Sequence, residues 1–307
     1  MSKIVFGPIT SRRFGQSIGI DLSPDTKQCN FDCVYCELQG AKPVDTIHNP
    51  PSVKEVVINI KKALTKYDNI DVITLTANGE PTLYPYMKEL IQELHLIKKE
   101  SKILILSNAS TITCKETREI LKEIDIVKLS LDCVSQKCFK KIDRPIEGLH
   151  VEDIIKGIKK FRKIYNKELV IEILVVKGIN DKEKEFEKLG DILKKIKPDR
   201  IDIGTIDRPP AYNVKSVSIK RLKELTNILD SLPISLTYQK NYSEEKRDFT
   251  KEEILNIIAK RPQSFDDVNV SFSDKSIVHI KELVKKDFLH VRAVAGVNFY
   301  SLSKKYH

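Results

Sequence analysis

No apolar run in this chain approaches the ~18 residues that a helix needs to cross a bilayer. The opening stretch, Met1-Ser-Lys-Ile-Val-Phe-Gly-Pro-Ile-Thr10, lacks the basic region and long apolar segment of a secretory signal. Neither membrane insertion nor export is therefore expected, and the cytoplasm is the expected compartment. Internal repeats and low-complexity tracts are missing too. The six histidines form no pair at metal-ligand spacing. Six cysteines, three of them crowded together, do not make the disulfide framework of a secreted protein in a chain of 307 residues. A reducing compartment suits thiolate ligands.

What is present begins with a basic balance, a formal charge of +10 from 53 Lys and Arg against 43 Asp and Glu. Lysine dominates and is mixed with acid on helical stretches such as Lys182-Glu-Lys-Glu-Phe-Glu-Lys188. Such mixtures are usually solvated faces, so a nucleic-acid footprint and a plain charged surface both remain open.

The crowded cysteines are Cys29-Asn-Phe-Asp-Cys33-Val-Tyr-Cys36. Three thiolates at C-x3-C-x2-C spacing can hold three corners of a cubic iron–sulfur cluster and leave its fourth iron open to a second ligand. A closed site, or a tetrahedral zinc, needs a fourth protein ligand. The ten residues after Cys36 contain neither Cys nor His. The triad reads as a reactive cluster, ahead of zinc, buried small hydrophobes or disulfide partners.

Short β-branched runs alternate with amphipathic segments from about residue 17. The expected strands are Ile18–Leu22, Val72–Thr76, Ile103–Leu106, Ile126–Leu131, Val170–Val176 and Ile201–Ile203. Helices are expected near 53–66, 84–98, 115–123, 151–165, 182–196 and 219–230, the first opened by the capping-box pattern Ser52-Val-Lys-Glu55. Near-continuous apolar strands indicate a parallel sheet buried on both faces, open or barrel-like. Right-handed connections would gather every post-strand loop at one rim. That rim would carry the cysteine loop, Asn78-Gly-Glu-Pro81, Ser107-Asn108, Ser130 with Asp132, Gly178-Ile-Asn-Asp181 and Asp207-Arg-Pro-Pro210.

The pattern changes after Tyr238. Residues 239–249 read as a polar linker. Beyond it, helices at Thr250–Lys260, Ser264–Val268 and Ser273–Lys286 precede a hairpin, His290–Val294 and Val297–Leu302, turning at Gly296. Three helices and a hairpin over 250–307 look like a winged helix-turn-helix. Lys275, Lys281, Lys285, Lys286 and Arg292 could face phosphates there, diluted by Asp274, Glu282 and Asp287.

The triad, its place after the first strand and the loops that follow resemble the radical S-adenosylmethionine (SAM) superfamily over most of residues 7–232. The resemblance implies a partial (β/α)6 TIM-like barrel over residues 1–238, followed by the winged-helix-like unit. It implies that Cys29, Cys33 and Cys36 hold one 4Fe–4S cluster whose open iron chelates S-adenosylmethionine. Reductive cleavage of the sulfonium would then give a 5′-deoxyadenosyl radical that abstracts a substrate hydrogen. An electron donor of flavodoxin or ferredoxin type is implied as partner.

By the same resemblance Glu80 meets the methionine ammonium, and Gly79 allows close backbone approach. Asn78 stands where the family usually has a first glycine. Tyr35 is placed near the adenine, or simply packs. Asn108, Ser130 and Asp132 are candidates for the ribose or the methionine carboxylate. Asn180 is placed near the adenosine, or caps the next helix, while the usual Gly-x-Ile-x-Gly-x-x-Glu wording is absent. Arg208 is a candidate for an anionic substrate or a surface ion pair.

Gly7–Asp21 with its Arg12-Arg13 pair, Asp143-Arg-Pro145 and Asp207-Arg-Pro-Pro-Ala211 are similar to a largely uncharacterised branch of the superfamily, loosely similar to the wyosine-forming tRNA enzymes. Arg12 and Arg13 would bind an anion or anchor the N-terminus. Cys114, Cys133 and Cys138 match no cluster spacing and read as packing residues. The leading expectation is a radical SAM enzyme acting on a macromolecule, RNA ahead of peptide or protein. A non-catalytic iron–sulfur sensor that binds DNA is the reading of another class, and it leaves Glu80 without a role.

Overall fold

The computed structural model describes residues 3–11, 13–236, 246–294 and 297–303. Arg12, most of the expected linker and the turn at Gly296 lie outside the described residues.

The sheet has eight strands in sequential order: β1 (Val5–Ser11), β2 (Gly15–Asp21), β3 (Val72–Thr76), β4 (Lys102–Ser107), β5 (Ile126–Ser130), β6 (Glu168–Val175), β7 (Arg200–Thr205) and β8 (Ile234–Leu236). Strands β2 to β8 are mutually parallel, and β1 joins β2 antiparallel with a bulge between Phe6 and Ile9. Helices α1 (Val53–Lys66), α2 (Met87–Ile97), α3 (Lys115–Leu121), α4 (Gln136–Ile142), α5 (Val151–Ile164), α6 (Glu183–Ile196) and α7 (Ile219–Asn227) lie in the connections.

In this sheet and its connections three elements, β1, β8 and α4, were not expected from the sequence. Strand β1 is interrupted by Gly7-Pro8, β8 is three residues long, and α4 is two turns. Each is too short or too broken to show periodicity, and each is fixed by its neighbours.

Helix α1 shows why the long elements were legible. Ser52 and Glu55 close the expected capping box, with Ser52 N–H donating to Glu55 Oε2 at 2.9 Å. Its buried residues, Val53, Val56, Val57, Ile60, Ala63 and Leu64, recur at helical spacing and face the sheet. Alternate strand residues such as Ile73, Leu75, Ile103, Ile105, Val127, Leu129, Ile171, Ile173, Ile201 and Ile203 meet these helices in the main core.

The opposite face of the sheet is different. At its amino end Val72, Leu104, Ile126 and Val170 form a small separate core closed by Phe14. Above it lies a charged layer centred on Asp202, which is fully buried. Arg13 Nε and Arg200 Nε each lie 3.0 Å from Asp202 Oδ1. Lys128 Nζ is 3.1 Å from Oδ2, in ion-pair contact without hydrogen-bond alignment, and 2.5 Å from Glu172. Arg13 thus anchors the N-terminal segment to an interior carboxylate, and its guanidinium is committed there.

After residue 246 come α8 (Lys251–Lys260), β9 (Gln263–Ser264), α9 (Phe265–Ser271), α10 (Asp274–Lys285), β10 (Leu289–Val294) and β11 (Val297–Leu302). The strands form a second sheet in the order β10-β11-β9. The helices and hairpin fall where the sequence placed them. The pairing of β9 with Phe299 and Tyr300 was not visible in a two-residue strand. This unit has its own core, including Phe249, Ile254, Ile258, Phe272, Ile280 and Leu283, and Ile9 of β1 packs against it. Among the described residues no helix is long and apolar enough to cross a membrane.

Candidate functional site

The cysteine loop has almost no regular structure of its own, and three neighbouring segments hold it. On one side Val34 N–H donates to Ile142 O (2.8 Å), Asp32 N–H to Asp143 O (3.1 Å) and Ile146 N–H to Asn30 O (2.8 Å). On a second side Gln28 N–H donates to Asn78 O (2.8 Å) and Glu80 N–H to Gln28 O (3.1 Å). On a third, Ala211 N–H donates to Cys36 O at 2.8 Å. The strings Asp143-Arg-Pro145 and Pro209-Pro-Ala211 therefore act as templates for the loop.

Cys29, Cys33 and Cys36 are free and partly exposed. Burial pushes the Cys29 thiol up to about 12, helped by the Glu80 charge. Burial also raises Cys33, with Asp143 adding to it, and raises Cys36 against the opposing charge of Lys27. Thiols held neutral in this way give up their protons to a metal rather than to water. Among the described residues, the group of His, Cys, Asp and Glu atoms that converges within 4.8 Å is Cys133, Cys138 and Glu185, not the triad. Three soft donors on one loop, too spread to close on one ion, fit a multi-atom iron–sulfur cluster. Cys29 Sγ also receives Phe31 N–H at 3.4 Å and lies 3.6 Å from Asn108 Nδ2.

The glycine loop is built against this one. Gly79 has φ of 144°, and its backbone runs beside Gln28 in a parallel bridge. In the structure the close backbone approach at Gly79 is to the cysteine loop. Glu80 is buried, and burial raises its pKa. Its Oε1 accepts Thr82 N–H (3.1 Å), Thr82 Oγ1–H (2.5 Å) and Ser107 Oγ–H (2.7 Å), and Oε2 accepts Asn108 N–H (2.7 Å). Each carboxylate oxygen has about two acceptor sites, and Oε2 receives a single donor, so it retains capacity for an incoming cation. Asn108 is thereby tied at once to Glu80, to Cys29 and, through Nδ2 at 2.9 Å, to Asn30 Oδ1.

Beyond β5 the candidates separate. Asp132 accepts Tyr35 Oη–H at 2.5 Å and Leu174 N–H at 2.7 Å. Burial lifts its pKa to about 7 and lifts that of Asp143, packed against it, well above the carboxylate range. Cys33 Sγ lies 3.5 Å from Asp143 Oδ1. Tyr35 is thus fastened by its hydroxyl beneath the cysteine loop. Asn180 is buried, with Nδ2 donating to Asp132 O (3.0 Å) and Leu174 O (2.9 Å) and Oδ1 accepting Val176 N–H (2.7 Å). Its amide staples the β5 and β6 loops together. It does not cap α6, whose N-cap is Lys182. Ser130 ends β5 opposite Glu172, partly exposed on the same face of the sheet as the charged layer.

A family model described as the radical SAM superfamily matches residues 23–190, the span that contains the triad, Glu80, Asn108 and Asp132. The chain belongs to the radical SAM superfamily. It is 38% identical over 299 residues to a UPF0026 protein of Helicobacter pylori strain J99, covering 97% of each. Among solved structures it is similar to a radical SAM methyltransferase from Sphaerobacter thermophilus, with a TM-score of 0.56 at 14% identity over 73% of this chain and 67% of that one. Streptococcus suis SuiB, solved bound to its precursor peptide SuiA, gives a TM-score of 0.54 at 21% identity, covering 69% of this chain and 47% of that one. Both structural likenesses concern the fold.

A 4Fe–4S cluster and S-adenosylmethionine are accordingly the cofactors of this radical SAM enzyme, and it needs a reductant. The family motif did not disclose Asp32, within the cysteine loop. Lys27 Nζ and Ala41 N–H each lie 3.3 Å from its Oδ1, Tyr212 Oη–H donates to Oδ2, and the Arg144 guanidinium stacks 4.3 Å from the Tyr212 ring centroid. An Asp between two cysteines, with an Arg-Pro and a Pro-Pro string elsewhere, was the only signal.

Two expectations need correction. Arg208 is neither presented to solvent nor in a surface pair: it is 4% exposed, between Glu37 (3.7 Å) and Asp267 (3.4 Å). Cys133 and Cys138 are buried as packing residues would be, but they are bonded to each other as a disulfide, while Cys114 is exposed.

Proposed function

We propose that Cys29, Cys33 and Cys36 hold the 4Fe–4S cluster and that the chain directs hydrogen abstraction at a macromolecule, RNA ahead of peptide. The carrying observation is the common frame of triad and Glu80: Gln28, the residue before Cys29, pairs with Gly79, the residue before Glu80. A soft-donor site and a buried carboxylate are thus set side by side by backbone bonds. When bound, the cluster and S-adenosylmethionine supply a 5′-deoxyadenosyl radical to the site. Glu80 Oε2 would receive the methionine ammonium, Asn108 stands between it and Cys29, and Tyr35, held by Asp132, would lie toward the adenine. The sheet is read as a partial (β/α)6 barrel, with the face carrying Ser130, Glu172 and Leu106 as its interior.

The preference for RNA rests on the C-terminal unit, read as a winged-helix-like module. Arg292 on β10 donates to Pro210 O at 3.4 Å, which brings the hairpin to the rim loop that also touches Cys36. Lys275, Lys281, Lys285 and Lys286 are exposed on the neighbouring helix and its end. Arg292 at the rim, with these lysines on the neighbouring helix among the exposed Asp274, Glu282 and Asp287, suits a polyanion. The electron donor is read as a flavodoxin or ferredoxin.

The test is anaerobic reconstitution with iron and sulfide, then strong reductant and S-adenosylmethionine. The expected product is 5′-deoxyadenosine, abolished in Cys36→Ala; an intact, cluster-loaded protein that makes none defeats the reading. For the substrate, tRNA and proteome from a deletion strain are compared by mass spectrometry. A lost tRNA modification supports RNA, and a change confined to peptides overturns that preference.

A further inference from the structure

Two cations, Arg208 buried and Lys260 largely so, cross from the C-terminal unit, or onto it, to the loops of the site. Lys260, the last residue of α8, has a side chain 12% exposed. Its ammonium pairs with Asp21 Oδ2 and donates to Pro24 O at 3.2 Å. Asp21, itself 1% exposed, ends β2 just before the cysteine loop. Its other oxygen accepts Asn78 N–H at 2.7 Å and Ser23 N–H at 2.9 Å. Asn78 in turn receives Gln28 N–H, so the start of the cysteine loop and the start of the glycine loop share one buried carboxylate. The charge that neutralises this carboxylate comes from the C-terminal unit.

Arg208 makes the second crossing. Its Nη1 donates to Pro262 O, its Nη2 lies 3.4 Å from Asp267 of α9, and its Nε lies 3.7 Å from Glu37, the residue after Cys36. One cation therefore reaches each end of the cysteine loop.

We propose that Lys260 and Arg208 are positioning residues through which the C-terminal unit sets the geometry of the cofactor loops, so that affinity for S-adenosylmethionine depends on these two direct contacts to the loops. The inference rests on the radical SAM reading. Among the described residues Lys260 is the cation that pairs with Asp21, and its removal leaves a buried carboxylate that gains by turning toward water. That turn weakens its hold on Asn78 and shifts the loop that carries Glu80. A cation at the junction but away from both loops serves as a control. Lys66 pairs with Glu253 at 2.5 Å, joining α1 to α8 without touching either loop.

The test uses the full-length, cluster-loaded protein and titrates S-adenosylmethionine against the electron paramagnetic resonance signal of the reduced cluster, with iron content and unfolding midpoint measured alongside. Lys260→Met is expected to weaken binding about tenfold, as loss of an outer support of a metal site does. The double variant Lys260→Met with Asp21→Asn is expected to recover most of the affinity, because it removes the orphaned charge and leaves an oxygen for Asn78 N–H. Arg208→Met is expected to act like Lys260→Met, and Lys66→Met to leave affinity unchanged. Wild-type affinity in an iron-replete Lys260→Met protein overturns the inference, as does equal weakening by Lys66→Met. Failure of the wild type itself to bind S-adenosylmethionine would instead overturn the reading on which it rests.

Discussion

Gly79 and Gln28 lie backbone to backbone, and a Cβ built on Gly79 would stand 1.8 Å from the Gln28 carbonyl oxygen. No side chain fits that gap, and the φ of 144° is one that L-residues rarely adopt. Gly79→Ala is expected to part the two loops while leaving the sheet intact. The measurement is iron and sulfide per chain after reconstitution, with circular dichroism as the fold control. Full cluster content in the variant would show that the bridge is dispensable.

Asp32 gathers Lys27, Ala41 and Tyr212 around the interval between Cys29 and Cys33. Asp32→Ala should leave the ligands in place and loosen their frame. Cluster loss to a chelator is expected to accelerate about tenfold, the lower end for a lost outer support. The decay of visible absorbance under anaerobic chelation reads this out, and an unchanged rate would remove Asp32 from the site's architecture.

Asp202 is a stability prediction rather than a functional one. It is fully buried and balances Lys128, Arg13 and Arg200. Asp202→Ala removes the carboxylate shared by Arg13, Lys128 and Arg200, of which Lys128 keeps Glu172 and Arg200 keeps Glu168, and is expected to cost about 3 kcal/mol, the low end for a broken buried pair. Urea unfolding of the full chain measures it, and a cost near zero would mean that the cations find solvent without disturbing the sheet.

The junction of the C-terminal unit should be acid-sensitive. Burial opposes charge on both Glu253 and Asp267, but Lys66 with the Thr250 N–H at the first, and Arg208 with the Ser264 N–H and Arg261 at the second, outweigh it, and both pKa values are lowered. A depressed folded pKa means stability that is fully present above the ordinary carboxylate values, about 4. That stability is lost as pH falls below about 4 and through the depressed folded values. Hydrogen exchange in α8 and α9 is therefore expected to rise below about pH 4. Exchange that stays flat across that range would show that neither pair holds the junction.

Much of this was legible in the chain. The parallel strands from β2 to β7 declared themselves through their β-branched, largely apolar runs, although only the helix-facing side is apolar throughout and the other side carries Lys128, Glu172 and Asp202. Helix α1 did so because its cap and its buried stripe agree. The cysteine spacing pointed to the cluster chemistry, which depends on donor type and interval. Strand β1 did not show, because Gly7-Pro8 breaks its pattern and pairing with β2 restores it. Arg208 was misread because a cation between Asp207 and Pro209 looks the same in sequence whether it faces solvent or is sealed by Pro262 and Asp267.

The sequence by itself determined the chemistry, since three thiols at C-x3-C-x2-C spacing and a Gly-Glu-Pro turn are local facts that travel with the chain. Only the tertiary structure decided what holds that chemistry in place. Asn180 became a staple, Gly79 a contact to Gln28, and Lys260 a partner of Asp21, 239 positions away along the chain. Such roles depend on which groups burial brings together and leaves in need of a partner, and no local pattern records that.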